Sequence, residues 1–478
     1  MSGIIGIFSV DGKNVMDDLF YGLTALQHRG EEGCGISVND GKYFHTLTSN
    51  GLIYYFLKDK LEKLKKMKPS VGIGHALYER TGGLQPVEQW GDQNVNISLA
   101  MDGVLLGFGE KKHDSVMRTL FLDYLRETGN FYSAVERVME KMDGRGPYNV
   151  VIAARKGGKF YLIAFRDPKG IKPLCLGKKD GMHIIASETK ALDIIEADFV
   201  KDVEPGEIII ISKDGMKSRV LKKNKHAHCA FEWIYFADPT STIEGRNVYL
   251  VRKTLGGKLA KRYPLDVDIV MASPDSGRAV ALGYQQGLCK IKNTFIPFDE
   301  VSIKNPGAKR TFQVEDPKER MMAARVKFFI NKDFVKGKKV VCGDDSIVRG
   351  TVFRDGMVNK LRNAGADEIS LVISCPPLAH PCIKDPRGKT FAAQGLTGSV
   401  EEIGSKIAKK LNVDRVCYPT VQELDEAIGH SDTCKACFNG VYPVKKRFAF
   451  CNEERDEKNI AFYITKNKSK KKKLEAGD

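Results

Sequence analysis

The sequence predicts two α/β domains in tandem, a mixed and largely antiparallel first half and a parallel, doubly wound second half. Two patterns carry the prediction. Up to residue 225 the chain shows short apolar runs with turn signals between them. Beyond that point strands alternate with helices, the pattern of a parallel sheet covered on both faces. A chain of 478 residues is long enough for two or three domains.

In the first half, "GIIGIFSV" (3–10), "VGIGHALY" (71–78), "NISLAMDG" (96–103), "YNVVIAAR" (148–155), "FYLIAFRD" (160–167) and "GEIIIISKDG" (206–215) read as strands. The stretches 16–29 and 115–129 carry helical spacing. A Lys/His-rich connector, "KSRVLKKNKHAH", marks a boundary near residue 225. In the second half, "DVDIVMASPDSG" leads into a helix. "KKVVCGDDSIVRG" runs into helical "TVFRDGMVNKLRNAG", and the strand "EISLVISCPP" follows. The expected segments are 1–225, 226–445 and a basic tail, 446–478. Ligands of such parallel sheets bind at the C-terminal strand ends.

Apolar residues make up 42% and charged residues 28%, ordinary for a soluble globular protein. No apolar run reaches the ~18 residues of a membrane span, and the start lacks a basic signal region. A cytoplasmic protein without membrane contact is expected. Eleven Cys in such a chain suggest metal or cluster ligands more than a disulfide framework. The net charge of +16 suits a polyanionic small substrate. Part of it sits in "KNKSKKKKLEAGD", which reads as a solvated tail and makes nucleic acid an unlikely partner.

The most specific stretch is "VVCGDDSIVRGT" (340–351). An apolar strand delivers Asp344 and Asp345, then a turn with Ser346, Arg349, Gly350 and Thr351 opens a helix. Such a turn offers N–H groups and hydroxyls to a phosphate. The paired acids can accept from ribose hydroxyls or hold magnesium. A second loop, "SPDSGR", ends in Ser276, Gly277 and Arg278 and can hold a pyrophosphate. Cys434 and Cys437 stand in C-x-x-C spacing, compatible with zinc, a cluster, a redox pair or no such role at all.

The uninterrupted "DDSIVRGT" resembles the phosphoribosylpyrophosphate (PRPP) signature of type I phosphoribosyltransferases. "PDSGRAVALGY" and "FEWIYFADPTS" (231–241) narrow the resemblance to the glutamine PRPP amidotransferase family, also called amidophosphoribosyltransferases. The first half is similar to it too, through "LQHRGEEGCGI" and "FRDPKGIKPLCLG". The resemblance implies an Ntn-hydrolase-type αββα sandwich, class II glutamine amidotransferase-like, followed by a type I phosphoribosyltransferase domain. It implies PRPP binding by Ser276, Gly277, Arg278, Lys304, Asp344, Asp345, Ser346, Arg349, Gly350 and Thr351, with magnesium at Ser276, Asp344 and Asp345. It implies a mobile loop from Ile303-Lys304-Asn305 to Arg310-Thr311-Phe312, altered at Pro306–Lys309 and followed by a motif that keeps Arg325 and Lys327. In its iron–sulfur-carrying branch, four Cys match Cys229, Cys382, Cys434 and Cys437, implying a 4Fe–4S cluster, with zinc as the alternative. Purine nucleotides as feedback ligands and a homo-oligomer are further implications.

The glutaminase half departs from the family. The terminal Cys nucleophile is Ser2. The Arg of "GHVRYSTAG", which grips the glutamine carboxylate, is Leu77, and Arg80 lies three residues on. The oxyanion Asn of "LAHNGNLVN" is Asp102, beside a retained Gly103. Asp114 keeps the Asp of "SDSE". These changes predict a transferase whose glutaminase is lost and whose amine is ammonia, free or from a partner. A non-catalytic regulatory paralogue and a transferase with another amine acceptor are the alternatives. "KDPRGKTFAAQG" after Cys382 bears on the acceptor, because it departs from the family's segment there.

Overall fold

The computed structural model describes residues 2–78, 83–91, 94–109, 111–222, 224–305, 322, 325–350, 352–383 and 391–445. Arg80, the loop residues Pro306–Lys309 and Arg310 to Phe312, Thr351, most of the segment after Cys382 and the basic tail lie outside them. The chain divides into two compact units. One runs to His228 and also takes Cys382 and the stretch from Tyr442, and the other spans Cys229–Pro381 and ends at Val441.

The first unit holds two large sheets. One has seven strands in the spatial order Asp198–Asp202, Cys175–Lys179, Met182–Ala186, Gly3–Ser9, Val71–Leu77, Gly33–Asn39 and Phe44–Asn50. The other has six, in the order Gly215–Val220, Glu207–Ser212, Lys159–Arg166, Tyr148–Lys156, Asn96–Gly103 and Val87–Trp90. Ile4, Phe8, Ile73, Ala100, Val151, Leu162 and Ile209 form the core shared by the sheets. Helix Met16–Ala25 covers the outer face of the first sheet, and helices His113–Thr128 and Phe131–Lys141 cover that of the second. The result is a four-layer αββα sandwich. It explains why Gly3–Ser9 and Val71–Leu77 are buried at every position, since each is covered on both faces.

All six expected first-half strands form. Strand Gly33–Asn39 ("GCGISVN") carried little signal, because two glycines and two polar residues dilute its apolar run. Its place between two antiparallel neighbours supplies what local propensity does not. The helix expected over 16–29 ends at Ala25, and a short turn, Gln27–Arg29, carries Arg29 inward.

The second unit is built on a parallel sheet ordered Ile269–Ala272, Lys339–Asp344, Glu368–Ile373 and Arg415–Cys417. Apolar clusters cover both faces, one around Leu255, Phe353, Leu361 and Ile407, the other around Val280, Tyr284 and Leu288. Helices Val400–Leu411 and Val421–Ile428 begin at capping boxes, Ser399 with Glu402 and Thr420 with Glu423. The expected helix after the acidic pair starts as a wide π-helical stretch, Val352–Val358, and becomes α-helical over Asn359–Asn363. A separate two-stranded ribbon pairs Ser302–Lys304 with Phe328–Ile330. Among the described residues no helix is long and apolar enough to cross a membrane.

Candidate functional site

The acidic pair lies at the C-terminal end of strand Lys339–Asp344, where a parallel sheet opens to ligand. Asp344 and Asp345 are both buried. Their backbone carbonyls accept from Ser374 N at 2.9 Å and Cys375 N at 3.0 Å, which ties the acids to the neighbouring strand. Ser276 Oγ donates to Asp344 Oδ1 at 3.1 Å, and Ser346 Oγ donates to Asp345 Oδ2 at 2.5 Å. Burial, then the adjacent Asp345, pushes the Asp344 carboxyl well above the usual range. The Lys327 ammonium faces both acids, and burial pushes it below its usual value.

The loop Ser273–Gly277 meets this strand end directly. Ser273 N donates to Gly343 O at 2.9 Å, and a Cβ at Gly277 would fall 2.1 Å from that same carbonyl. Only glycine allows the approach that brings Ser276 to Asp344. Arg278 opens helix Arg278–Lys292. Its guanidinium pairs with Asp275 at 3.2 Å and Glu300 at 3.1 Å, while Lys304 pairs with Asp275 at 2.9 Å. Gly350 adopts φ 82° at the end of the Ser346 turn, and its carbonyl accepts from Arg354 N at 2.9 Å. Ser276, Asp344, Asp345 and Ser346 therefore converge, with cations beside them. Two carboxylates and a hydroxyl are hard oxygen donors that suit magnesium.

The first unit has a second buried polar centre. Ser2 precedes strand Gly3–Ser9, and its N donates to Asp102 Oδ1 at 2.8 Å. Lys172 Nζ donates to the same oxygen, and Arg29 Nη2 lies 3.6 Å from Oδ2. Arg29 Nε also donates to Ser2 O at 3.1 Å, and its Nη1 pairs with Glu188 at 2.5 Å. His28 approaches the same Glu188 oxygen at 2.9 Å. Burial alone would push the Glu188 carboxyl up, but His28 and Arg29 hold it well below the usual range. Burial pushes the His75 imidazole down to about 4, against the opposing pull of Asp102. Neither His75 ring nitrogen finds a partner among the described residues. Gly103 is required by close approach, since a Cβ there would fall 2.5 Å from Pro147 O. Leu77 is buried, and Asp114 sits buried in the first turn of its helix.

Sequence reasoning placed Ser2, Leu77 and Asp102 but missed Arg29, Lys172 and Glu188. The available signal was Lys172 itself, which stands in "GIKPL" where the resembling family carries Arg. It missed Glu300 as well, which no motif marks.

Three of the four marked cysteines belong to the second unit, and Cys382 is grouped with the first. The two-residue strand ending at Cys229 pairs with Thr433–Cys434. Cys437 follows in the short helix Ala436–Asn439, and its carbonyl accepts from Ala379 N and His380 N, each at 3.1 Å. Cys229, Cys434 and Cys437 thus come from joined segments. Soft sulfur donors of this kind suit iron–sulfur or zinc.

An αββα sandwich with its amino terminus at a buried polar centre, followed by a parallel sheet ending in paired acids and a Ser/Gly turn, defines a class. It is that of two-domain enzymes pairing an Ntn-type glutamine amidotransferase fold with a type I phosphoribosyltransferase fold. No family model matches the chain. It is 38% identical to the amidophosphoribosyltransferase of Methanocaldococcus jannaschii over 94% of this chain and 98% of that protein. It is 34% identical to that of Bacillus subtilis over 92% and 94%. The solved glutamine PRPP amidotransferase from B. subtilis, complexed with ADP and GMP, superposes with a TM-score of 0.80 at 31% identity, over 93% of this chain and 97% of that one. The chain belongs to the amidophosphoribosyltransferase family, a family of glycosyltransferase enzymes.

Proposed function

We propose that this protein transfers ammonia, free or supplied by a partner, to C1 of PRPP in purine nucleotide synthesis, without hydrolysing glutamine itself. The convergence of Ser276, Asp344, Asp345 and Ser346 at one strand end carries the reading. Asp344 and Asp345 orient the ribose hydroxyls. The Ser346–Gly350 turn, with Arg349 and the adjoining Thr351, takes the 5′-phosphate. Arg278, Gly277 and Lys304 take the pyrophosphate. Ser276, Asp344 and Asp345 would hold magnesium, which neutralises charge on the departing pyrophosphate. Catalysis is then mainly positioning and charge neutralisation. Purine nucleotides are proposed as regulatory ligands, because the B. subtilis relative was solved with ADP and GMP. Cys229, Cys434 and Cys437, with Cys382 as the fourth ligand expected from the sequence, would hold a 4Fe–4S cluster in a structural role.

Loss of glutaminase is supported by the contacts of Asp102. An N-terminal nucleophile needs its free amine as base. Once Met1 is removed, the Ser2 amine would sit against the Asp102 carboxylate, which favours the protonated form. A carboxylate also accepts only, and it would repel an oxyanion. Losing one oxyanion donor costs ~10²–10³ in rate. Leu77 offers no donor to an α-carboxylate. The test is pyrophosphate release from PRPP with magnesium, given ammonium, glutamine or no nitrogen donor. Release with ammonium alone is expected. Release with glutamine overturns the account of the first unit, and no release with either overturns the transferase reading.

A further inference from the structure

Both side-chain cations assigned to the pyrophosphate are already engaged by carboxylates of this chain. Arg278 is bracketed by Asp275 and Glu300, at 3.2 and 3.1 Å, and Lys304 is paired with Asp275 at 2.9 Å. Asp275 belongs to the pyrophosphate loop itself. Glu300 does not. It enters from a separate segment whose backbone is pinned on both sides: Asp299 N donates to Val270 O at 3.1 Å, and Val301 is buried with its carbonyl accepting from Asn331 N at 2.9 Å. The Glu300 carboxylate is thus delivered to Arg278 by an anchored backbone, while its side chain stays mostly in solvent.

A carboxylate paired with a guanidinium uses the same donors that a phosphate oxygen would use. Pyrophosphate that takes the Nη2 edge of Arg278 competes with the Glu300 carboxylate for it. We propose that Glu300 is a positioning residue that competes with the pyrophosphate group of PRPP for Arg278. It holds the guanidinium in the substrate-free enzyme and retakes it when pyrophosphate leaves. This rests on the assignment of Arg278 to pyrophosphate made above.

An exposed pair of this kind contributes up to about 1 kcal/mol, which converts to roughly two- to fivefold in binding. Glu300→Gln keeps the size of the side chain and removes the charge. Its KM for PRPP is expected to fall two- to fivefold, and the inhibition constant of added pyrophosphate to fall by a similar factor. A merely structural role for Glu300 would raise both constants or leave them unmoved, and either result overturns the proposal. Arg278→Ala, measured in parallel, separates the two layers. If Arg278→Ala leaves the KM for PRPP unchanged, the assignment of Arg278 itself fails. If it raises that KM while Glu300→Gln lowers neither constant, only the role of Glu300 fails.

Discussion

Replacing Lys172 by Met tests the buried centre of the first unit. Lys172 and Asp102 are each only 1% exposed. Removing one partner of such a pair strands a buried charge and costs about 3–5 kcal/mol. Asp102 would keep the Ser2 N–H at 2.8 Å and Arg29 at 3.6 Å, so the low end, about 3 kcal/mol, is expected. Native domains hold about 5–15 kcal/mol in all. For a unit of this size each kcal/mol moves Tm by roughly 2–4 °C, so a fall of about 6–12 °C follows. The assay is thermal unfolding followed by near-UV circular dichroism, with ammonium-dependent pyrophosphate release reporting on the second unit. Asp102→Asn added to Lys172→Met removes both charges and leaves Asn to accept from Ser2, so most of the lost stability should return. Lys172→Met within about 1 kcal/mol of the parent, or a double variant no better than the single, would refute the reasoning.

Three further outcomes are expected. His75 titrates at about 4 in the fold, and near ~6.5 unfolded, so the unfolded chain takes its proton first as pH falls. Stability should therefore decline from pH ~6.5 downward, by about 2 kcal/mol at pH 5, and urea midpoints at pH 7 and 5 should show a smaller gap in His75→Gln. Gly277→Ala drives a Cβ to 2.1 Å from Gly343 O, so it should cost about 1–3 kcal/mol and pull Ser276 from Asp344, with pyrophosphate release falling far more than stability. Cys434→Ser should bring bound iron per chain to near zero by elemental analysis and remove any broad absorbance near ~400 nm, whereas zinc in the parent protein would assign the site to that metal instead.

Much of the second unit was legible because its pattern is local. "GDDSIVRG" places strand, acids, turn and glycine within one short stretch, and the strand end presents them together. The start of the following helix differed, being π-helical over Val352–Val358, which local helical spacing does not mark. The strands over 3–9 and 71–77 were legible from continuous apolar runs, whereas 33–39 forms because its neighbours pair with it.

By itself the sequence determined the two-domain order, the acidic strand end and the substitutions Ser2, Leu77 and Asp102, since each is a property of neighbouring residues. The tertiary structure alone decided what those substitutions touch. Asp102 meets Ser2, Arg29 and Lys172 across separations of 100, 73 and 70 residues, and Glu300 meets Arg278 across a helix and a loop. The charges around Asp102 interact strongly because folding removes the water between them. The exposed Glu300–Arg278 pair forms because folding brings two separate segments together, and spacing along a chain carries no record of either.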